Sequence, residues 1–199
     1  MNYQTLLAAS VFAIVSLITP GPNNTMVLAS GLHFGIRRTL PHLSGICLGF
    51  SFMLVLVGLG LHTLFVNDPV LLELMRYAGA CYMAWLAWKL ASSRSAPGNA
   101  TPSARPLGFW GAAAFQWINP KGWVMAMTAV AGYLPLDAGL SQVLTLGALF
   151  AVLGVPCVGA WVAFGSSMRT YLQNPLHLRL FNNAMALALL ASLIPLLMP

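Results

Sequence analysis

Charge is what this chain has least of. Its 199 residues hold 9 Lys or Arg and 3 Asp or Glu, so that 6% of positions are charged, against roughly 25% in soluble domains. Hydrophobic residues make up 59%, and the mean hydropathy is +0.81. A water-soluble fold of this composition could not cover its surface with polar groups, so the bilayer is the expected solvent. Six spans of about 20 residues each would use most of the chain. That leaves no room for a soluble catalytic domain and excludes most enzyme classes. The net charge of +6 does not point to nucleic acid, because the cations are scattered between apolar runs and form no basic face. They read as topology signals.

Other absences narrow the field further. Cys47, Cys81 and Cys157 form no CxxC pair and no metal-ligand spacing with histidine, so they read as buried free thiols, and neither a metal nor a cofactor is expected. The opening MNYQTLLAAS has no Lys or Arg ahead of its apolar stretch and so lacks the n-region of a secretory signal; the first segment is expected to stay as a membrane helix.

What is there is a series of long uncharged runs. They place spans at about 5–31, 41–65, 70–91, 108–133, 140–166 and 177–198. Sorting the connections alternately puts Arg37, Arg38, Lys89, Arg94, Arg105, Arg169 and Arg179 on one side with no acidic partner. The opposite side receives Asp68, Glu73 and Asp137 with only Arg76, which is spaced to pair with Glu73. Cytoplasmic loops collect Lys and Arg, so both termini are expected outside the cytoplasm. An odd number of spans would destroy this segregation.

The chain also divides in two. SSRSAPGNATPSARP, from Ser92 to Pro106, has no apolar period and reads as a cytoplasmic linker. It separates three spans from three, and halves with an odd number of spans lie in the membrane with opposite orientation. The expected fold is therefore an all-α integral membrane protein of six transmembrane helices, built as two inverted three-helix repeats with helices 1 and 4 broken. The whole chain, 1–199, is then expected to be a single transmembrane domain, with repeat 1 at about 1–91, the linker at 92–107 and repeat 2 at about 108–199.

The breaks are where chemistry is expected. Thr19-Pro20-Gly21-Pro22-Asn23-Asn24 interrupts the first span and Asn119-Pro120-Lys121-Gly122 the fourth, at corresponding places in the two halves. Each proline removes an N–H and clashes with the carbonyl four residues back, which deprives the carbonyls of Ser16, Ile18 and Gln116 of their usual partners. Unsatisfied groups of this kind are tolerated at membrane depth only against protein or a water-filled cavity. Beyond the first break, the N–H groups near Asn24, Thr25 and Met26 open a new helix whose positive end suits a carboxylate. Freed carbonyls and the amides of Asn23, Asn24 and Asn119 suit an ammonium. One small molecule carries both groups at that spacing: an α-amino acid.

Lys121 stands well inside a span without an acidic residue to neutralise it, and such a group marks function by default. The competing reading is that the span is misplaced by a few residues and Lys121 snorkels from an interface. His33, His42 and His62 read as interfacial, with proton carriage as the alternative. Asn182, Asn183 and Gln116 can face the bundle interior, where amides bridge helices as often as they bind substrate. Gly45, Gly49, Gly58 and Gly60 read as points of close helix approach.

TPGPNN at 19–24, GACYMAWLAWKL at 79–90 and QWINPKGW at 116–123, in that order, resemble the LysE/RhtB family of amino-acid exporters, and the likeness covers essentially the whole chain. The resemblance implies a bacterial inner-membrane protein that exports amino acids or close derivatives with the proton gradient as energy source. It looks closer to the branch handling homoserine, threonine, cysteine and O-acetylserine than to the lysine exporters. The residues favour the same branch independently, since a site for lysine or arginine should hold a carboxylate for the second cation. The substrate-binding residues are then expected to be Thr19, Pro20, Gly21, Pro22, Asn23, Asn24, Gln116, Asn119, Pro120 and Lys121. The implied partners are an amino-acid substrate, membrane lipid and protons, with monomer or homodimer left open. Two other classes stay in view: a membrane thiol–disulfide electron carrier, which needs two cysteines able to approach, and an assembly subunit without substrate.

Overall fold

The computed structural model describes residues 1–61, 69–93 and 105–194. His62, Asp68, Arg94, the side chain of Arg76 with its expected Glu73 pairing, and most of the linker lie outside the described residues. Those described are helical, without a strand among them: α1 (Tyr3–Ile18), α2 (Pro22–Leu56, continued by a π-helical turn, Val57–Leu61), α3 (Pro69–Ser92), α4 (Phe109–Phe115, tightening to 3-10 over Gln116–Ile118), α5 (Pro120–Tyr133), α6 (Leu140–Ser167) and α7 (Pro175–Ala191). Local sequence sets several starts. Asn2 caps α1 by accepting from the Thr5 N–H at 2.8 Å, and Asn174 caps α7 by accepting from Leu176 at 2.9 Å with Pro175 in the first turn.

A straight α2 of 35 residues would be about 52 Å long, well beyond a hydrocarbon core of about 30 Å. It is not straight. Gly35 stands at φ 77, ψ 172, a left-handed region that favours glycine. Ser30 Oγ and His42 Nδ1 share a hydrogen bond of 3.0 Å, although residues twelve apart in one helix are separated by about 18 Å. The chain therefore folds back at Gly35 into limbs 22–34 and 36–56, and Val27 of the first packs with Leu43, Ile46 and Cys47 of the second. The connection expected between the first two spans shrinks to this turn because a single residue of positive φ suffices to reverse it.

α6 runs against α2 at the centre of the molecule. Their closest approach is at paired notches, where a Cβ on Gly31 would come within 2.4 Å of the Val162 carbonyl and one on Gly165 within 2.2 Å of the Leu28 carbonyl. α4 lies on the second limb of α2 and α1 lies on α6. α3 packs chiefly on α7 through Ala80, Met83, Ala87, Ala186, Leu189 and Leu193. Gly45, Gly49 and Gly58 sit at close helix contacts; a Cβ on Gly60 would meet nothing within 4 Å among the described residues, and its φ of +119 closes the π-helical turn instead.

Large apolar side chains such as Leu7, Val11, Phe52, Trp110, Val152 and Leu187 point outward, a distribution suited to lipid rather than water. Cys81 is likewise exposed, not buried as expected, since a thiol on a lipid-facing helix needs no protein cover. By length and hydropathy alone, residues 22–61 and 140–167 are each sufficient to cross a membrane, and Tyr3–Ile18 is a shorter apolar helix. The expected first and fourth spans are each cut in two, and among the described residues the helices of the expected third and sixth, Pro69–Ser92 and Pro175–Ala191, do not pass that test either.

Candidate functional site

The first break is extended backbone, with Thr19 at ψ 138 and Gly21 at φ 179, ψ 177. The second is Asn119 at φ −85, ψ 107. Pro22 and Pro120 then each occupy the first turn of the following helix, where a missing N–H costs nothing. The two breaks meet. Asn23 and Gln116 face each other as a reciprocal amide pair, Asn23 Nδ2 donating to Gln116 Oε1 at 2.8 Å and Gln116 Nε2 to Asn23 Oδ1 at 3.1 Å. Lys121 Nζ donates to the carbonyls of Thr19 at 2.7 Å and Pro20 at 3.1 Å.

The protein satisfies most of its own loosened carbonyls. Asn24 Nδ2 donates to Leu17 at 2.7 Å and Thr19 at 2.8 Å, and the Thr25 hydroxyl donates to Gly21 at 3.0 Å. The Ile18 carbonyl, expected to lose its partner, accepts from the Trp161 indole N–H at 3.1 Å. The Gln116 carbonyl accepts from the Asn119 N–H at 3.2 Å through the 3-10 turn. Hydrocarbon enforces this economy, since an unpaired backbone group there costs several kcal/mol. The carbonyls of Thr19 and Pro20 are likewise occupied, by the ammonium of Lys121.

Other members of the set are placed by packing. Gly21 leaves room for the Lys121 stem, since a Cβ there would fall 2.8 Å from Lys121 Cδ. Pro120 sits against Gly79 of α3, within 2.2 Å of where a Cβ would be. Asn119 is 2% exposed, and its Oδ1 has no hydrogen-bond partner among the described residues. A small cavity of about 30 Å³ opens here, lined in part by Asn23, Asn24, Cys47, Asn119, Lys121 and Phe150. It has room for about two waters, at roughly 10–15 Å³ each. A second cavity of about 230 Å³ lies on the other side of Lys121, bordered by Phe12, Thr19, Met83, Thr128 and Ser192.

Residues 14–196 match the LysE type translocator family. The chain belongs to that family. It is 33% identical over 166 residues to a cysteine/O-acetylserine efflux protein of Salmonella typhimurium, covering 83% of this chain and 84% of the relative. It is 34% identical over 163 residues to the protein of the same name from Escherichia coli K12, covering 81% and 83%. No solved structure matches the chain. The translocator is thus a multi-pass inner-membrane protein of an amino-acid efflux family, and not an enzyme.

Several weaker candidates fall outside the translocator's site. Asn182 is buried and donates to the Ser93 carbonyl at 3.1 Å, tying α7 to the end of α3, whereas Asn183 is exposed. His42 is buried against Ser30 near the Gly35 turn, where the fold-back brings the two limbs over it. His33 lies beyond the expected span, its Nδ1 unpartnered among the described residues. Lys89 stacks its ammonium 4.9 Å from the Trp85 ring. Sequence reasoning missed Trp161, Cys47 and Phe150, which arrive at the breaks from other helices and carry no local signal. Cys47 and Cys157, from different helices, are both buried free thiols.

Proposed function

We propose that the translocator exports small neutral amino acids or their derivatives from the cytoplasm, cysteine and O-acetylserine foremost, with the proton gradient as driving force. The two substrates come from the names of its relatives; the neutral class follows from the site. The single observation that carries the reading is the convergence of both breaks on one cavity, with a buried acceptor, Asn119 Oδ1, left unpaired beside it. The starts of the first limb of α2 and of α5 turn N–H groups toward that place, without a side-chain cap on either. A substrate carboxylate finds donors there, and its ammonium finds Asn119 Oδ1. Among the described residues no acidic one lines either cavity, so a cationic side chain would have no counter-charge there, while Ile46, Phe50 and Phe150 suit a short uncharged one.

The smaller cavity is too small for an amino acid, so binding parts the two breaks. An inverted repeat offers the means. α1 on α6 has its counterpart in α4 on the second limb of α2, while α2 pairs with α6 and α3 with α7. This exchange of like contacts is what two opposed three-helix halves, about 1–91 and 108–199, would produce. Rocking of one half on the other then exposes the site alternately, with both termini periplasmic by the distribution of Lys and Arg.

The test is tolerance and efflux in cells with and without the protein, across a panel of amino acids. Cysteine, O-acetylserine or another small neutral member should leave faster only when the protein is present. Asn119→Ala should lose that difference while still inserting in the membrane. Indistinguishable efflux for every member of the panel would sink the proposal.

A further inference from the structure

The ammonium of Lys121 occupies a revealing position. It lies on the carbonyls of Thr19 and Pro20, and among the described residues no acidic side chain lines the cavity on either side of it. In transporters built on broken helices, carbonyls freed at the break hold the coupling cation. Here a tethered ammonium fills that place. Its stem is laid along Gly21, which would clash with it if it carried a Cβ, so Lys121 is directed into the break and does not snorkel to an interface.

A bound α-amino acid brings an ammonium of its own, and these carbonyls are its natural acceptors. Two cations on the same pair of oxygens would repel strongly in a site shielded from water. The conflict disappears when Lys121 gives up its proton.

We propose that the Thr19 and Pro20 carbonyls form one cation subsite, which Lys121 fills in the empty translocator and yields to the substrate's ammonium on deprotonation, making Lys121 the proton carrier of a one-for-one exchange. The inference rests on the reading above that the substrate is a zwitterionic amino acid. On the cytoplasmic side an N–H bond of Lys121 breaks, the proton passes to water, and the neutral amine leaves the carbonyls as the substrate ammonium arrives. The loaded site crosses with no net charge. On the far side the substrate departs, the amine takes a proton from water, and the ammonium returns to the carbonyls. The empty site goes back carrying one positive charge, so one proton enters for each zwitterion that leaves. Lys121 borders both cavities, and among the described residues Cys47 is the other titratable side chain lining them; a thiol cannot supply a competing cation.

The experiment uses the full-length protein in proteoliposomes with labelled L-cysteine kept reduced, and binding of the same ligand in detergent. With the lumen one pH unit more acidic and the membrane potential clamped at zero, wild type should accumulate cysteine about tenfold, with protons leaving the lumen. Its affinity should fall toward about tenfold per unit of acidification between roughly pH 7.5 and 5.5, where free cysteine stays zwitterionic. Lys121→Gln should abolish both the accumulation and the pH slope of binding. Lys121→Arg, which cannot deprotonate, should bind no cysteine at any pH while eluting as a folded protein. A Lys121→Arg variant that still accumulates substrate, or a Lys121→Gln variant that keeps the pH slope, overturns the proposal. Wild-type transport indifferent to pH overturns the proton carrier alone, whereas a wild type that neither binds nor moves any amino acid overturns the substrate reading beneath it.

Discussion

The amide pair between Asn23 and Gln116 offers a quantitative test of how the two breaks are held together. Two hydrogen bonds, of 2.8 Å and 3.1 Å, cross from one half of the chain to the other, and Gln116 is fully buried and also donates to the Ala112 carbonyl at 2.8 Å. Interhelical polar contacts in membranes average about 0.6 kcal/mol and reach about 1.7. Two mutually aligned bonds in a dry site should therefore give a coupling energy of about 1–2 kcal/mol. Asn23→Ala, Gln116→Ala and the double variant form the cycle, with unfolding free energies measured by denaturant titration in micelles. Each single variant should lose more than the coupling itself, because its partner's amide is left buried and unpaired; the second change should then cost little. If the single effects simply add, with coupling below about 0.3 kcal/mol, the pair does not bridge the breaks and this geometry is wrong.

Gly21→Ala should push the Lys121 stem out of place, since its Cβ would stand 2.8 Å from Cδ; a severalfold loss of efflux with normal membrane insertion is the expected result. Trp161→Phe removes the donor to the Ile18 carbonyl and should cost about 1–3 kcal/mol of stability, read in the same titration. Gly165→Val places a side chain where the Leu28 carbonyl lies 2.2 Å away, so it should separate α2 from α6 and sharply reduce the yield of folded protein.

The places where expectation and structure diverge have a common cause. The carbonyl of Ile18 loses its helical partner through Pro22, as local stereochemistry requires, but which group replaces that partner depends on Trp161, 143 residues away. The ammonium of Lys121 could be seen to need acceptors, yet nothing in its neighbours along the chain says that they belong to Thr19 and Pro20. Gly60 resembles Gly58 in sequence, but one is pressed against Val143 and the other closes a turn.

Covalent chemistry and solvent acted before any folding. Scarce charge and high hydropathy committed the chain to lipid, and the prolines at 20, 22 and 120 committed two of its long apolar runs to interruption, because these effects depend only on residues and their immediate neighbours. The fold-back at Gly35, the pairing of Asn23 with Gln116 and the seat of Lys121 on the opposite break belong to the assembled molecule. Each joins groups distant along the chain, and in hydrocarbon the demand that every loosened polar group find a partner can be met only once the helices have packed.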